Sequence, residues 1–222
     1  MVGGDFCPKN IPVDKLHPFR GIKSVLDNVD FRIINLEAPL TEYDCPTLKT
    51  GPSLKLHPEV AGSLKETCIN LVTLANNHIH DYGSRGILDT LDTCRKHNIS
   101  HVGAGKNLED ATSVFYTKLK DQSLAVINVA ENEWGSADRK QAGFASLDPF
   151  MLFTKIQEAK SITDNILVII HGGHEEWKYP SPRMIRTYRL ISLWGASAVI
   201  GHHSHCIGGY EVYQGVPIFY SL

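Results

Sequence analysis

The sequence has no apolar run long enough to span a membrane, no block of basic charge, no low-complexity tract and no internal repeat. The first absence predicts a chain that is soluble as it stands. The second, with a formal net charge of -2, argues against a protein that coats nucleic acid. The five cysteines, Cys7, Cys45, Cys68, Cys94 and Cys206, are odd in number and lack paired short spacings, so neither a zinc ribbon nor a disulfide framework is signalled; most read as ordinary core residues. A secretory leader is also missing, with only Met1 and Val2 ahead of Gly3-Gly-Asp5. The chain reads as cut into its first strand, and Gly215-Val-Pro-Ile-Phe-Tyr-Ser-Leu222 as ending inside or just after its last, so the compartment stays open.

What is there is an apolar content of 42%, enough over 222 residues for one sizeable core in one domain covering 1–222. Short apolar runs rich in β-branched residues alternate with segments of helical period. Phe31–Glu37, Asn70–Ala75, Leu124–Ala130, Ile166–Ile170 and Ala198–Ile200 read as buried strands, and His101–Gly105 as a short strand and glycine turn. Between them, Pro58–Thr67 is a short helix with Val60 and Leu64 on one face. Ser84 caps a helix that turns Ile87, Leu88, Leu91 and Cys94 inward and ends near Asn98. Asp148-Pro149 opens another, carrying Leu152, Phe153, Ile156 and Ala159, and a last helix with Met184, Tyr188 and Ile191 on its face stops at Gly195. Strands buried on both faces and separated by amphipathic helices predict an α/β fold.

The chemistry lies in what ends each strand. Asp5, Glu37, Asn77 with His78, His171, and His203 with His205 each follow a strand, where open α/β sheets gather their ligands. Taken singly, each has a plain structural reading as a turn residue, a cap or a hydrogen-bonded histidine. Taken together, two carboxylates, one amide oxygen and three imidazoles at one sheet edge form a set suited to one or two divalent cations, without which the carboxylates would repel. His203-x-His205 is the strongest local piece, because alternating strand residues point to the same side. Manganese, zinc, iron and magnesium are not distinguished by this donor set.

Gly4-Asp5, Asn35-Leu-Glu-Ala-Pro-Leu-Thr41, Leu74-Ala-Asn-Asn-His78 with Asp81-Tyr-Gly83, Gly103-Ala-Gly105, His171-x-Gly-x-Glu175, Gly195-Ala196, Val199-Ile-Gly-His-His-x-His205 and Tyr220-Ser-Leu222 occur in the order seen in the bacterial poly-γ-glutamate capsule synthesis (CapA) family. The resemblance covers nearly the whole chain. That family is similar to calcineurin-like metallophosphoesterases, so the resemblance implies a four-layer α/β/β/α sandwich with a two-metal site at the strand ends. It implies that Asp5 and His205 hold one metal, that Asn77, His171 and His203 hold the other, and that Glu37 bridges them. His78 then stands beside the metals as the catalytic residue acting on the substrate or leaving group. Glu175 and His202 flank the set as substrate-facing or supporting residues.

Two departures bear on the metal count. The phosphoesterase pattern has a histidine two residues after the first aspartate, where this chain has Cys7, and an aspartate where this chain has the longer Glu37. The first metal therefore has fewer protein ligands or takes Cys7 as thiolate, which leaves one ion or two. The implied activity is hydrolysis of a phosphoester or a polyglutamate-related substrate by a metal-activated water, with an anionic polymer or a phosphorylated small molecule as partner. The alternatives are a non-hydrolytic accessory subunit of a capsule polymer synthase or exporter, and γ-glutamyl amide hydrolysis at the same site. Members of this type often carry an N-terminal membrane anchor, which implies a parent protein at the outer face of the membrane.

Overall fold

The computed structural model describes residues 1–12, 18–132 and 134–222. The chain opens with β1 (Val2–Phe6) and a short helix α1 (Lys23–Leu26), then alternates β2 (Ile33–Leu36), α2 (Val60–Glu66), β3 (Leu71–Thr73), α3 (Gly83–Lys96) and β4 (Ser100–Val102). The two-residue strand β5 (Ala104–Gly105), α4 (Leu108–Ala111), the hairpin of β6 (Phe115–Leu119) and β7 (Gln122–Ala130), and β8 (Gly143–Phe144) follow. The last part contains α5 (Pro149–Lys160), β9 (Ile166–His171), α6 (Pro182–Trp194), β10 (Ala198–His202) and the hairpin of β11 (Tyr210–Tyr213) and β12 (Val216–Phe219). Glu133 lies outside the described residues.

β1 to β4 pair in sequence order as a four-stranded parallel sheet. A six-stranded sheet runs β11-β12-β10-β9-β7-β6, parallel through its four central strands and antiparallel at both edges. Three apolar layers show how these stack. Ile34, Leu36, Val72 and Leu74 of the first sheet pack with Val60, Leu64, Ile87, Leu91 and Cys94 of α2 and α3. Ile127, Val129, Val168, Ile170 and Val199 of the second pack with Leu152, Ile156, Met184, Tyr188 and Ile191 of α5 and α6. Ile33, Leu71 and Val102 meet Val126, Leu167, Ile169 and Ile200 between the sheets. The order is helices, sheet, sheet, helices: the expected α/β/β/α sandwich.

Strand parity explains both the layering and the site. In β2 the inner face reads Ile33, Asn35 and then Glu37; in β9 it reads Leu167, Ile169, His171; in β10 it reads Ala198, Ile200, His202. Each strand thus begins apolar between the sheets and turns polar at its carboxyl end.

Several local expectations change. α3 starts at Gly83 behind Tyr82 with no side-chain cap, and Ser84 Oγ instead approaches the Ala142 carbonyl at 3.5 Å. The turn from His78 to Gly83 leads straight into the helix, so Ser84 falls at its second residue and not at the capping position. Leu88 and Phe153 are each 41% exposed, because they flank rather than face the stripes set by Ile87, Leu91 and Cys94 and by Leu152, Ile156 and Ala159; Phe153 packs edge-on to Trp194. Of the cysteines only Cys94 is buried, and all five are free. Asp148 and Gly195 act as expected, the first accepting from Met151 N at 2.6 Å and the second ending α6 at φ 118°.

Candidate metal centre

Asp5, Glu37, Asn77, His171, His203 and His205 come together at the carboxyl mouth between the sheets. His171 Nε2 lies 3.0 Å from Asn77 Oδ1, 3.1 Å from His203 Nδ1 and 3.5 Å from Glu37 Oε1. His205 spans the two carboxylates, with Nδ1 3.6 Å from Asp5 Oδ2 and Nε2 3.8 Å from Glu37 Oε1. Two trios of ligand atoms result, Glu37 with His171 and His203, and Asp5 with Glu37 and His205, each within 4.8 Å of one another and sharing Glu37. Donors bound at ~2.1 Å to one ion stand roughly 3–3.5 Å apart, so the observed spacings fit a shared cation.

The route by which the histidines converge differs from the expected one. β10 ends at His202, and His203 (φ 97°) and His205 (φ 53°) lie beyond it in left-handed backbone. A turn, not the strand pleat, aims both rings at the site. The His203 N–H donates to Asp5 Oδ2 at 3.0 Å and ties that turn to β1.

Asn35 holds Asp5 from behind. Its Oδ1 accepts from Thr73 Oγ1 and Asn76 Nδ2, so its amide nitrogen is left to donate to Asp5 Oδ1 at 2.7 Å. His171 Nδ1 lies 3.2 Å from the same Asn35 amide nitrogen and 3.5 Å from that Asp5 oxygen, so the two residues hold the ring from behind and turn Nε2 toward Glu37, Asn77 and His203. Burial pushes the Asp5 carboxyl up, but the hydrogen bond and charge of His171, helped by His202 and Asn35, outweigh it and hold Asp5 below the usual carboxylate range. Glu37 goes the other way: burial first, then the charges of Asp5, Glu175 and Asp81, push it up to about 8. Among the described residues its Oε1 is buried without a hydrogen-bond partner, and it is the atom that faces both His171 Nε2 and His205 Nε2. Burial, reinforced by His171, brings His203 down to about 4, keeping its lone pair free at neutral pH. This set of ionised and neutral donors, with an unsatisfied carboxylate oxygen at its centre, is what a divalent cation requires.

The flanking residues divide. Cys7 joins neither trio; it packs on the apolar layer under the first sheet, and burial, then the charge of Glu37, pushes its thiol up, opposite to what a thiolate ligand needs. Glu175 is exposed, yet its charge reaches Glu37 and His203. His202 is fully buried, 3.9 Å from Asp5 Oδ1, with neither ring nitrogen hydrogen-bonded among the described residues, and burial lowers it to about 4. His78 follows Asn77 directly; its Nδ1 lies 2.7 Å from Asp81 Oδ2 and 3.3 Å from Lys49 Nζ. Trp134 and Trp177 are 68% and 66% exposed, which rules out core packing for both. Arg183 and Arg189 of α6 pair with Glu131 and Glu211. The sequence motifs contain Asn35, Asn76 and Asp81 but assign them no role, and Lys49 lies outside all of them. Asn35 was signalled by parity with Glu37; nothing in the Pro-rich stretch around Lys49 marked it.

Residues 4–222 match the family model for the bacterial capsule synthesis protein PGA_cap. The capsule biosynthesis protein CapA of Bacillus anthracis is 30% identical over 92% of this chain and 52% of its own length, and the PGA biosynthesis protein CapA of Bacillus subtilis 31% identical over 92% and 55%. A Mycobacterium tuberculosis protein, provisionally described as a polyglutamine synthesis accessory protein, is 30% identical over 95% and 59%. The chain thus spans a little over half the length of these relatives. Among solved structures, a Staphylococcus aureus protein provisionally described as a 5′-nucleotidase, in complex with α-ketoglutarate, superposes with a TM-score of 0.56 at 18% identity, covering 89% of this chain and 41% of that one. A hypothetical protein from Thermus thermophilus gives 0.55 at 18% identity, covering 90% and 67%. These structural likenesses bear on the fold alone.

Proposed function

The chain belongs to the bacterial capsule synthesis protein family, and from that membership we propose that it is a metal-dependent hydrolase acting on a phosphoester or a polyglutamate-related substrate. The observation that carries the reading is the pair of ligand trios sharing Glu37, whose Oε1 is buried and unpartnered. A divalent cation, when bound, supplies Lewis acidity and lowers the pKa of a water to about 7. The chain's own residues do the rest. Asp5, Glu37, Asn77, His171, His203 and His205 would hold one or two ions, with Asn35 orienting Asp5 and Asp5 in turn orienting His171. His78, next to Asn77 and hydrogen-bonded to Asp81, gives or takes a proton at the substrate or leaving group.

An accessory role without hydrolysis is favoured by one observation, the description attached to the mycobacterial relative. In that reading the same residues hold cations that bind an anionic polymer beside a synthase or exporter. Activity of the purified protein on phosphoesters and on poly-γ-glutamate, with added manganese or zinc, separates the two. The hydrolase reading expects phosphate or glutamate release that falls at least ~100-fold in His171→Ala and His203→Ala. A metal-loaded protein that releases neither product but retains the polymer favours the accessory role.

A further inference from the structure

The stretch from Asp44 to Leu56 contains neither helix nor strand, yet it is stitched to the turn that follows β3. Thr47 N donates to the Asp81 carbonyl at 2.8 Å, Thr47 Oγ1 to the His80 carbonyl at 3.0 Å, and Leu54 N to Asp81 Oδ2 at 2.7 Å. Between these attachments the chain turns at Gly51 (φ 85°), with Leu48 97% exposed and its neighbour Lys49 directed inward. The Lys49 side chain is only 10% exposed and pairs with Asp81 Oδ1; the Asp81 side chain is 1% exposed. A lysine turned inward from a surface strap gives up hydration and rotamer freedom, and only a specific partner offsets that.

Asp81 is the hub. Oδ1 takes the Lys49 ammonium, while Oδ2 takes Leu54 N and His78 Nδ1. Ammonium and carboxylate fix the roles on the ring: Lys49 has no acceptor and Asp81 in its ionised form no donor, so the shorter contact, 2.7 Å, makes His78 Nδ1–H the donor to Asp81. The 3.3 Å approach of Lys49 Nζ to Nδ1 is then packing, and Nε2 is the nitrogen offered to the site.

We propose that Lys49 is a positioning residue for His78: through Asp81 it locks the imidazole so that Nε2 faces the reacting groups beside Asn77. This rests on the hydrolase reading for its consequence, but not for its test. Without the ammonium, Asp81 Oδ1 is a buried carboxylate oxygen lacking its counter-charge, and the segment between Thr47 and Leu54 loses its inward anchor. His78 follows, because it is bonded to the same carboxylate.

The test is the ring proton of His78 in 15N-labelled, zinc-loaded or metal-free protein, assigned by its disappearance in His78→Asn. Wild type and Lys49→Arg should both show an exchange-protected Nδ1–H, and Lys49→Met and Asp81→Asn should lose it. Where hydrolysis is measurable, Lys49→Met should lower kcat ~10- to 100-fold with a smaller change in KM, and Lys49→Arg should recover most of it. Persistence of the protected Nδ1–H in Lys49→Met overturns the proposal; should that variant not fold, persistence in Lys49→Gln does the same. The ring proton is read without turnover, so an inactive protein removes the hydrolase reading and leaves this test standing.

Discussion

Glu37 pits stability against function within a single side chain. Its pKa is raised from 4.5 to about 8 by burial and by Asp5, so in metal-free protein the folded state keeps a proton that the unfolded chain releases. The sign follows from linkage: its contribution to stability is complete below pH 4.5 and is lost as pH rises through about 8. Glu37→Gln cannot release that proton. In EDTA the variant should therefore unfold at a higher temperature than wild type near pH 8, and the two curves should converge below pH 4.5. His203 and His202, both lowered to about 4, act on the acid side, where their contribution is full above pH 6.5 and falls away toward pH 4 in both proteins alike. Thermal melts across that range decide the matter, and parallel curves for wild type and Glu37→Gln on the alkaline side would sink the assignment. The same substitution removes the ligand common to both trios and should abolish any gain from added cation.

At the scale of the element, the least anticipated contact is a clasp between the sheets. Asn128 sits in β7 on the inner face shared by Val126, and its Oδ1 accepts from Leu74 N at 3.1 Å and Ala75 N at 2.7 Å while its Nδ2 donates to the Ile169 carbonyl at 3.2 Å. β3 stops at Thr73: Leu74 N still reaches the Val102 carbonyl of β4 at 2.9 Å, but the Ala75 N–H that would carry the strand on is taken from across the interface. Gly103 makes room: a Cβ there would stand 2.0 Å from Asn128 Oδ1, in backbone with φ 96°. Asn128→Leu leaves the buried Ala75 N–H unpaired just ahead of Asn77, while Leu74 N keeps the Val102 carbonyl, and should cost about 1–3 kcal/mol in chemical denaturation. A loss under 0.5 kcal/mol would show that the clasp carries no weight. The run Leu124–Ala130 reads as a buried strand from its apolar content, and the single Asn inside it was the legible sign of a special role. Its partner lies 53 residues away in sequence and was not legible. Capping at Asp148 and termination at Gly195 were readable because both act within one turn of chain, whereas the turn geometry that aims His203 and His205 depends on Asp5, 198 residues from His203.

Across the whole molecule, the alternation of buried strands and amphipathic helices made an α/β fold legible, whereas the four-layer sandwich was implied only by the family resemblance, because which sheet a strand joins is set by pairing between distant segments. Six ligand-type residues at strand ends marked the mouth, where two trios of possible ligands share Glu37. Cys7 was left open between thiolate ligand and bystander, since its position after Asp5 does not reveal the apolar layer it packs on or the burial and Glu37 charge that push its thiol up. One consequence belongs to the fold entire. The candidate ligands come from β1, β2 and β3 of one sheet and from β9 and β10 of the other, so a cation bound among them bridges both halves of the sandwich and can be held in full only by the folded chain. Binding confined to the native state at 100 times Kd stabilises by about 2.7 kcal/mol. In a chain of this size that moves Tm by roughly 5–10 °C. Titration of the EDTA-treated protein with zinc or manganese should raise Tm by that amount, with a plateau set by one or two ions in elemental analysis. His171→Ala and His203→Ala should flatten the response without preventing folding, because each removes a donor at the mouth and leaves the apolar layer of Ile33, Leu71 and Ile169 untouched. If Tm stays constant up to millimolar cation while the protein remains folded, the strand-end cluster is a hydrogen-bonded polar network and not a metal centre.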